Sequence, residues 1–215
     1  MRTFLIAVVA LLSCAGANAQ KSIVESWKEM PDSILPYLDQ ESRKQLVSLY
    51  DISPEWSKII SSLDEVVTLN KLTDNFIDLS LNELTKMQMA LVTTDSNDSI
   101  LCMVKTYVGG TEEEGRPAES VITFYNMSWQ KLDNTQFLAP VKSSELVQKP
   151  DTMEVEKYNH LIKLASPKLM MAEMDDKDLS LTLSLTVPML SEKEREQLAP
   201  ILLQRKLKWS GKMYK

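Results

Sequence analysis

The chain of 215 residues is 44% hydrophobic and 25% charged, with nine prolines and five glycines, which excludes disordered, collagen-like and low-complexity classes. It is long enough for one domain with its own core. A formal net charge of −6, with no run of five Lys or Arg, argues against nucleic acid and anionic lipid as partners.

Residues 1–19 have the layout of a secretory signal peptide. Arg2 supplies the basic end, residues 4–12 the apolar run, and Ala17-Asn18-Ala19 a small-x-small cleavage site before Gln20. That run is too short to span a bilayer and no later segment is longer, so no transmembrane helix is expected. Cleavage near Ala19 would give a periplasmic or secreted protein. As an alternative, Leu11-Leu12-Ser13-Cys14 resembles a lipobox, whose use would leave a lipoprotein anchored through Cys14. Cleavage at Ala19 leaves Cys102 without a disulfide partner, and its phase with Ile100 and Val104 marks it as a small buried hydrophobe.

From Ser22 the pattern is helical: Ile23, Trp27 and Met30 form one stripe, Ser22 and Glu25 have capping-box spacing, and Pro31 ends the run. A tight connection leads to a second helix over 40–50, with Leu46, Val47, Leu49 and Tyr50 inward. Ser53-Pro54 opens a third, short helix expected to carry Trp56, Ile59 and Ile60 inward. At Asp64 the period changes. Ile77, Leu79 and Leu81, then Met87, Met89 and Leu91, then Ile100, Cys102 and Val104 alternate with polar residues, as half-buried antiparallel strands do. Turn formers at 94–98 separate two of these strands. Gly109-Gly110 to Pro117 reads as an exposed acidic loop before a strand at 121–125. Periodicity fades over 129–153. Strands are then expected at 161–165, 168–174 and 179–187, with a turn at 175–178. Ser191 and Glu194 cap a helix over 192–199, ended by Pro200, and Leu207, Trp209 and Met213 suggest a final strand.

These elements predict an α+β fold: one curved antiparallel sheet of about eight strands, built from two repeated meanders, with helices on one face. A β-sandwich is the alternative. A single domain over 20–215 divides into a helical segment (20–63), a first meander (64–132), a crossover (133–157) and a second meander with its helix (158–215). In the repeat, residues 86–92 would overlay 168–174, matching Met89 to Met171 and Ala90 to Ala172. Ile100, Cys102 and Val104 would then overlay Leu179, Leu181 and Leu183.

Four segments, residues 30–38 (MPDSILPYL), 72–81 (LTDNFIDLSL), 98–104 (DSILCMV) and 122–129 (ITFYNMSW), together resemble a family of secreted Bacteroidetes (Bacteroidales) proteins of unknown function. The resemblance implies an exported protein of a gut-type anaerobe and brings no activity with it.

No catalytic, cofactor-binding or metal-ligating residue stands out. His160 is the only histidine, there is no Cys-x-x-Cys pair, and Gly109-Gly110 lacks phosphate-loop spacing. Asp175-Asp176 and Glu112 to Glu114 could serve as calcium ligands or a glycosidase pair, but in turns and loops solvated charge is the simpler reading. Met87, Met89, Met103, Met170, Met171 and Met174 fall on predicted strands, as core filling or as an adaptable surface. Asp32-Ser33-Ile34, Asp98-Ser99-Ile100 and Asp151-Thr152-Met153 resemble the Asp-[Ser/Thr]-apolar O-glycosylation acceptor of exported Bacteroidetes proteins, making Ser33, Ser99 and Thr152 candidate sites. The expected function is a non-enzymatic protein-interaction module with an unknown protein partner. A carrier of an apolar or lipid ligand and an enzyme of unrecognised class are the alternatives. A deep apolar cavity would favour the carrier, and an exposed apolar patch the interaction module.

Overall fold

The structure, a computed structural model, describes residues 21–111 and 115–215; residues 1–19, expected as a signal peptide, with Cys14 among them, and Glu112 to Glu114 lie outside the described residues. Helix α1 (Ile23–Lys28) starts at the reciprocal Ser22–Glu25 capping box and buries Ile23 and Trp27. Helix α2 (Gln40–Ile52) starts at an Asp39 cap and buries Arg43, Leu46 and Val47. One 3-10 turn, Pro54–Trp56, then delivers the chain into an antiparallel meander. Its six strands lie in sequential order: β1 (Lys58–Ile60), β2 (Val66–Leu72), β3 (Phe76–Ser80), β4 (Thr85–Thr93), β5 (Ser99–Val108) and β6 (Ala118–Asn126). An irregular crossover leads to α3 (Val155–Leu164), and a second sheet follows, with β7 (Leu169–Met174), β8 (Leu181–Thr186), α4 (Glu192–Leu198) and β9 (Arg205–Leu207).

The α+β class and the meander topology are those expected, but the strands divide between two sheets instead of joining in one. The six-stranded sheet is consequently buried on both faces across β4 and β5. Met87, Met89, Leu91, Leu101 and Met103 pack with Ile23, Trp27 and Leu46 beneath the amino-terminal helices. Ala90, Val92, Ile100, Cys102, Val104 and Phe124 pack against Ala172, Leu181, Leu183 and Leu185 of the second sheet. The expectation of one wet face therefore fails for these strands: Ile100, Cys102 and Val104 point away from the Met87 face, with a second sheet where water was expected. Methionines 87, 89 and 103 are core.

Three further corrections concern local structure. Residues 161–164 belong to α3 and Ala165 is its C-cap, because Leu161 and Ala165, four apart, both bury against Val187, Leu190, Leu198 and Ile201. The expected overlay of the meanders fails in register, since Ala90 faces Cys102 whereas Ala172 faces Leu183 and not Leu181. Trp56 and Ile60 point outward, as described below.

The sheets meet edge to face. The outer backbone groups of β7 take side-chain partners from the six-stranded sheet: Gln88 accepts from the Met174 N–H (2.8 Å) and donates to its carbonyl (3.3 Å). Ser120 does the same for Ala172 at 2.9 and 3.3 Å. Thr186 in turn serves the Ala118 N–H and carbonyl at 2.9 and 2.7 Å. These hydroxyls and this amide act as single residues of a missing strand, which blunts edges that would otherwise recruit another chain.

Candidate interaction surface

β1 ends the six-stranded sheet. Ser57 accepts from the Leu69 N–H at 3.0 Å and Ser61 donates its N–H to Glu65 at 2.9 Å, so Ser57, Ile59 and Ser61 bond toward β2. Antiparallel ladders alternate, and the N–H and C=O groups of Lys58 and Ile60 therefore point away from the sheet. The side chains alternate too. Ile59 enters the core, while Ile60 and its cross-strand neighbour Val66 stand on the open face. With Ile52, Trp56 and Leu63 they make five large apolar side chains, each 50–67% exposed, within one stretch of chain. Exposed Asp51, Glu55, Asp64 and Glu65 flank them, against one exposed cation, Lys58. At the tip the Ser61 hydroxyl accepts from the Leu63 and Glu65 N–H groups, and Asp64 takes φ 59°, a conformation that a short polar side chain tolerates.

Several clefts lie elsewhere among the described residues. Where β7 crosses the face of the six-stranded sheet, an open cleft of ≈ 450 Å³ is lined by Lys71, Asp78, Gln88, Glu173, Asp175 and Asp176, and a neighbouring one of ≈ 380 Å³ by polar Asn70, Glu83 and Lys86 together with apolar Val108, Ala118 and Met171. Some of their polar groups are engaged with one another. Asp78 accepts from Asn70 and Gln88 at 2.7 and 2.9 Å, and Lys71 pairs with Asp176. A third groove, ≈ 350 Å³, lies beside Tyr107, Pro188 and Met189. Among the described residues no group of three or more His, Cys, Asp or Glu could hold a metal ion, and no helix is long and apolar enough to cross a membrane.

The residues singled out from the sequence are scattered and mostly structural. Asp32 pairs at 2.9 Å with Arg43, whose fully buried guanidinium also donates to the carbonyls of Leu38 (2.5 Å) and Met30. Lys105 donates to the Ile34 carbonyl at 3.1 Å, and its partial burial lowers its pKa below the usual lysine range. Two cations thus hold the loop of residues 30–38. Ser33 is exposed on that loop and Thr152 on the turn before α3, whereas Ser99 is buried as the first residue of β5 and paired with Thr93. His160 is exposed on α3. Burial pushes the Cys102 thiol far above the usual range, which keeps it protonated and unreactive. Asp175 accepts from the Lys177 and Asp178 N–H groups, and Asp178 accepts from Ser180 and pairs with Lys206 at 3.0 Å. Hydrogen bonds from Ser180, then from Lys206, hold the Asp178 carboxyl well below its ordinary pKa. Trp129 donates its indole N–H to Ser26 at 3.2 Å, joining the end of the sheet to α1.

Sequence reasoning missed the β1 edge. Its signal was present in Ser57-Lys58-Ile59-Ile60-Ser61, where small and apolar residues alternate in and out with a period of two.

A family described as "protein of unknown function (DUF3256)" matches residues 15–214. The solved structure of a domain of an uncharacterized protein from Porphyromonas gingivalis W83 is similar, with a TM-score of 0.67 over 89% of this chain and 96% of that one. At 20% identity that likeness concerns the fold alone. Comparison with curated proteins gives no match.

Proposed function

The chain belongs to the DUF3256 family, whose description assigns no function, and we propose that it is an exported, non-enzymatic protein-interaction module that engages a protein partner through the surface around β1. The observation that carries this reading is the exposed cross-strand pair Ile60 and Val66 at an open sheet edge, with Ile52, Trp56 and Leu63 also exposed in the same stretch of chain. Exposed apolar side chains beside unpaired strand groups mark contact sites, and an aromatic side chain such as Trp56 is a frequent anchor in them. Export rests on Arg2, the apolar run over 4–12 and Ala17-Asn18-Ala19, and places the action in the periplasm or at the cell surface.

Two observations weigh against the carrier reading. The methionine-bearing face lies under the amino-terminal helices, and the space between the sheets is filled by Phe76, Phe124, Leu181 and Tyr214. The enzyme reading is weakened by the isolation of His160, the inert Cys102 and the engagement of Asp175, Asp176 and Asp178 in turns and ion pairs.

The test is purification from the native host, with copurified proteins and lipids measured together. A stoichiometric protein partner that is lost from Trp56→Ala and Ile60→Lys, with thermal stability unchanged, supports the proposal. Stoichiometric lipid with no protein partner refutes it.

A further inference from the structure

Resting on that reading, we infer that the partner docks as an added antiparallel β-strand on β1, and that its docking segment alternates apolar with basic residues. Three observations combine. First, the backbone groups of Lys58 and Ile60 point outward, and among the described residues no hydrogen bond engages them. An antiparallel strand facing them could close two hydrogen-bonded pairs. Second, the fold closes other edges residue by residue, with Ser120 and Gln88 on β7, and Thr186, Asn134 and the Leu132 N–H on β6. β1 instead leaves its outward groups without a partner from the fold and sets exposed Ile60, with Val66 of β2 across from it, beside them; Lys58 is its one charged residue. Third, the flanking charge is acidic, with Asp51, Glu55, Asp64 and Glu65 against Lys58. Together with a net charge of −6 this disfavours a second copy of the chain and favours a cationic segment.

Sheet geometry then dictates which partner residues do what. Directly opposed residues in an antiparallel pair share a face. Residues that bond to Lys58 and Ile60 therefore place their side chains on the face of Lys58, Ile60 and Val66, where apolar side chains pack on Ile60, Val66 and the Lys58 stem. The alternate residues bond away from β1 and point toward the side where α2 ends near Asp51 and Glu55, where Lys or Arg fits. The Ser62 N–H donates to Tyr37 at 3.2 Å, so the loop of residues 30–38 closes the far end of the edge and limits the added strand to a few residues.

The probe is a fluorescent synthetic peptide of about eight residues alternating valine and lysine, long enough for an ordinary strand, titrated by anisotropy against the full chain. Replacing its lysines by glutamate should weaken binding about tenfold or more. N-methylation at the valines, which removes the donors aimed at β1, should abolish binding, whereas N-methylation at the lysines should leave it within about twofold. Lys58→Pro, which removes an outward N–H at an edge position that tolerates proline, should lose the peptide, and Lys58→Ala should keep it. Each variant is checked by its thermal melt. Binding that ignores N-methylation overturns strand addition while leaving apolar docking at this surface intact. Three other results also overturn the inference: equal binding of the glutamate peptide, no binding of any peptide, and self-association or vesicle binding that depends on the Lys58 N–H.

Discussion

Arg43→Met should destabilise the fold by about 2–4 kcal/mol. The guanidinium is fully buried, and it donates to two carbonyls, of Met30 and Leu38, that have no route to water equal to the bond they would lose. Hydrogen bonds to a charged group contribute about 1.5–3 kcal/mol each, so the two together set an upper range of about 3–6 kcal/mol. Two effects reduce it. Methionine fills most of the space without a charge to desolvate, and the Arg43 Nε, which has no partner, no longer has to be buried. Asp32 adds little because its side chain is 58% exposed, and Asp32→Asn should cost no more than about 1 kcal/mol. Urea unfolding measures both variants, and the loop can be followed separately by hydrogen exchange. The Ile34 and Leu38 amides, bonded within the loop at 3.0 Å, should exchange faster in Arg43→Met. If Arg43→Met lies within about 0.5 kcal/mol of the native chain, the guanidinium does not hold this loop and the argument is wrong.

Leu46→Ala should lose about 2–5 kcal/mol in the same assay, since Leu46 is fully buried beneath the six-stranded sheet, while Trp56→Ala should stay within about 0.5 kcal/mol; equal effects would place Trp56 in the core after all. Gln88→Ala should cost about 1–2 kcal/mol by unpairing the Met174 N–H and carbonyl, the open cleft beside it admitting some water, and no loss would mean that water replaces the amide. The Asp178 carboxyl is lowered in the fold, so its stabilisation is present above the unfolded value near pH 4 and is lost as the pH falls; Asp178→Asn should flatten the acid limb of the stability curve, and an unchanged limb would contradict it. Protein from the native host should begin at Gln20 and carry any O-glycan on Ser33 or Thr152 and not on buried Ser99; an acylated Cys14 or a modified Ser99 in intact-mass and peptide spectra would reject these expectations.

Much of the fold could be read because its signals are local. Ser22 with Glu25 and Ser191 with Glu194 form their capping boxes as spaced, and the 94–98 turn places Asn97 at φ 63° between β4 and β5. Leu181, Leu183, Leu185 and Val187 share one buried face as their alternation implies. What could not be read depends on distant contacts. The phase of Ile100, Cys102 and Val104 is clear locally, but only the second sheet decides that their face and the Leu101–Met103 face are both dry. Likewise the overlay of Ala90 and Ala172 failed because local strand order does not fix hairpin register, which depends on where each turn begins; Leu179 takes φ 53° and delays β8 to Leu181. At the candidate site the difficulty was of another kind. Trp56 and Ile60 are apolar residues at an edge, and composition alone assigns them to a core. Two of the four segments that carry the family resemblance are tied into the fold, residues 30–38 by Arg43 and Lys105 and residues 122–129 by Trp129 on Ser26, so they gave no pointer to a site.

Site-specific photocrosslinking in the native host tests the central claim most directly. A photoreactive residue at position 60, on the open edge of β1, should give one discrete protein adduct, and the same residue at position 196, exposed on α4, should give none. An adduct with lipid alone, equal adducts at both positions, or none at position 60 would contradict the assignment of β1 as the surface through which this protein acts.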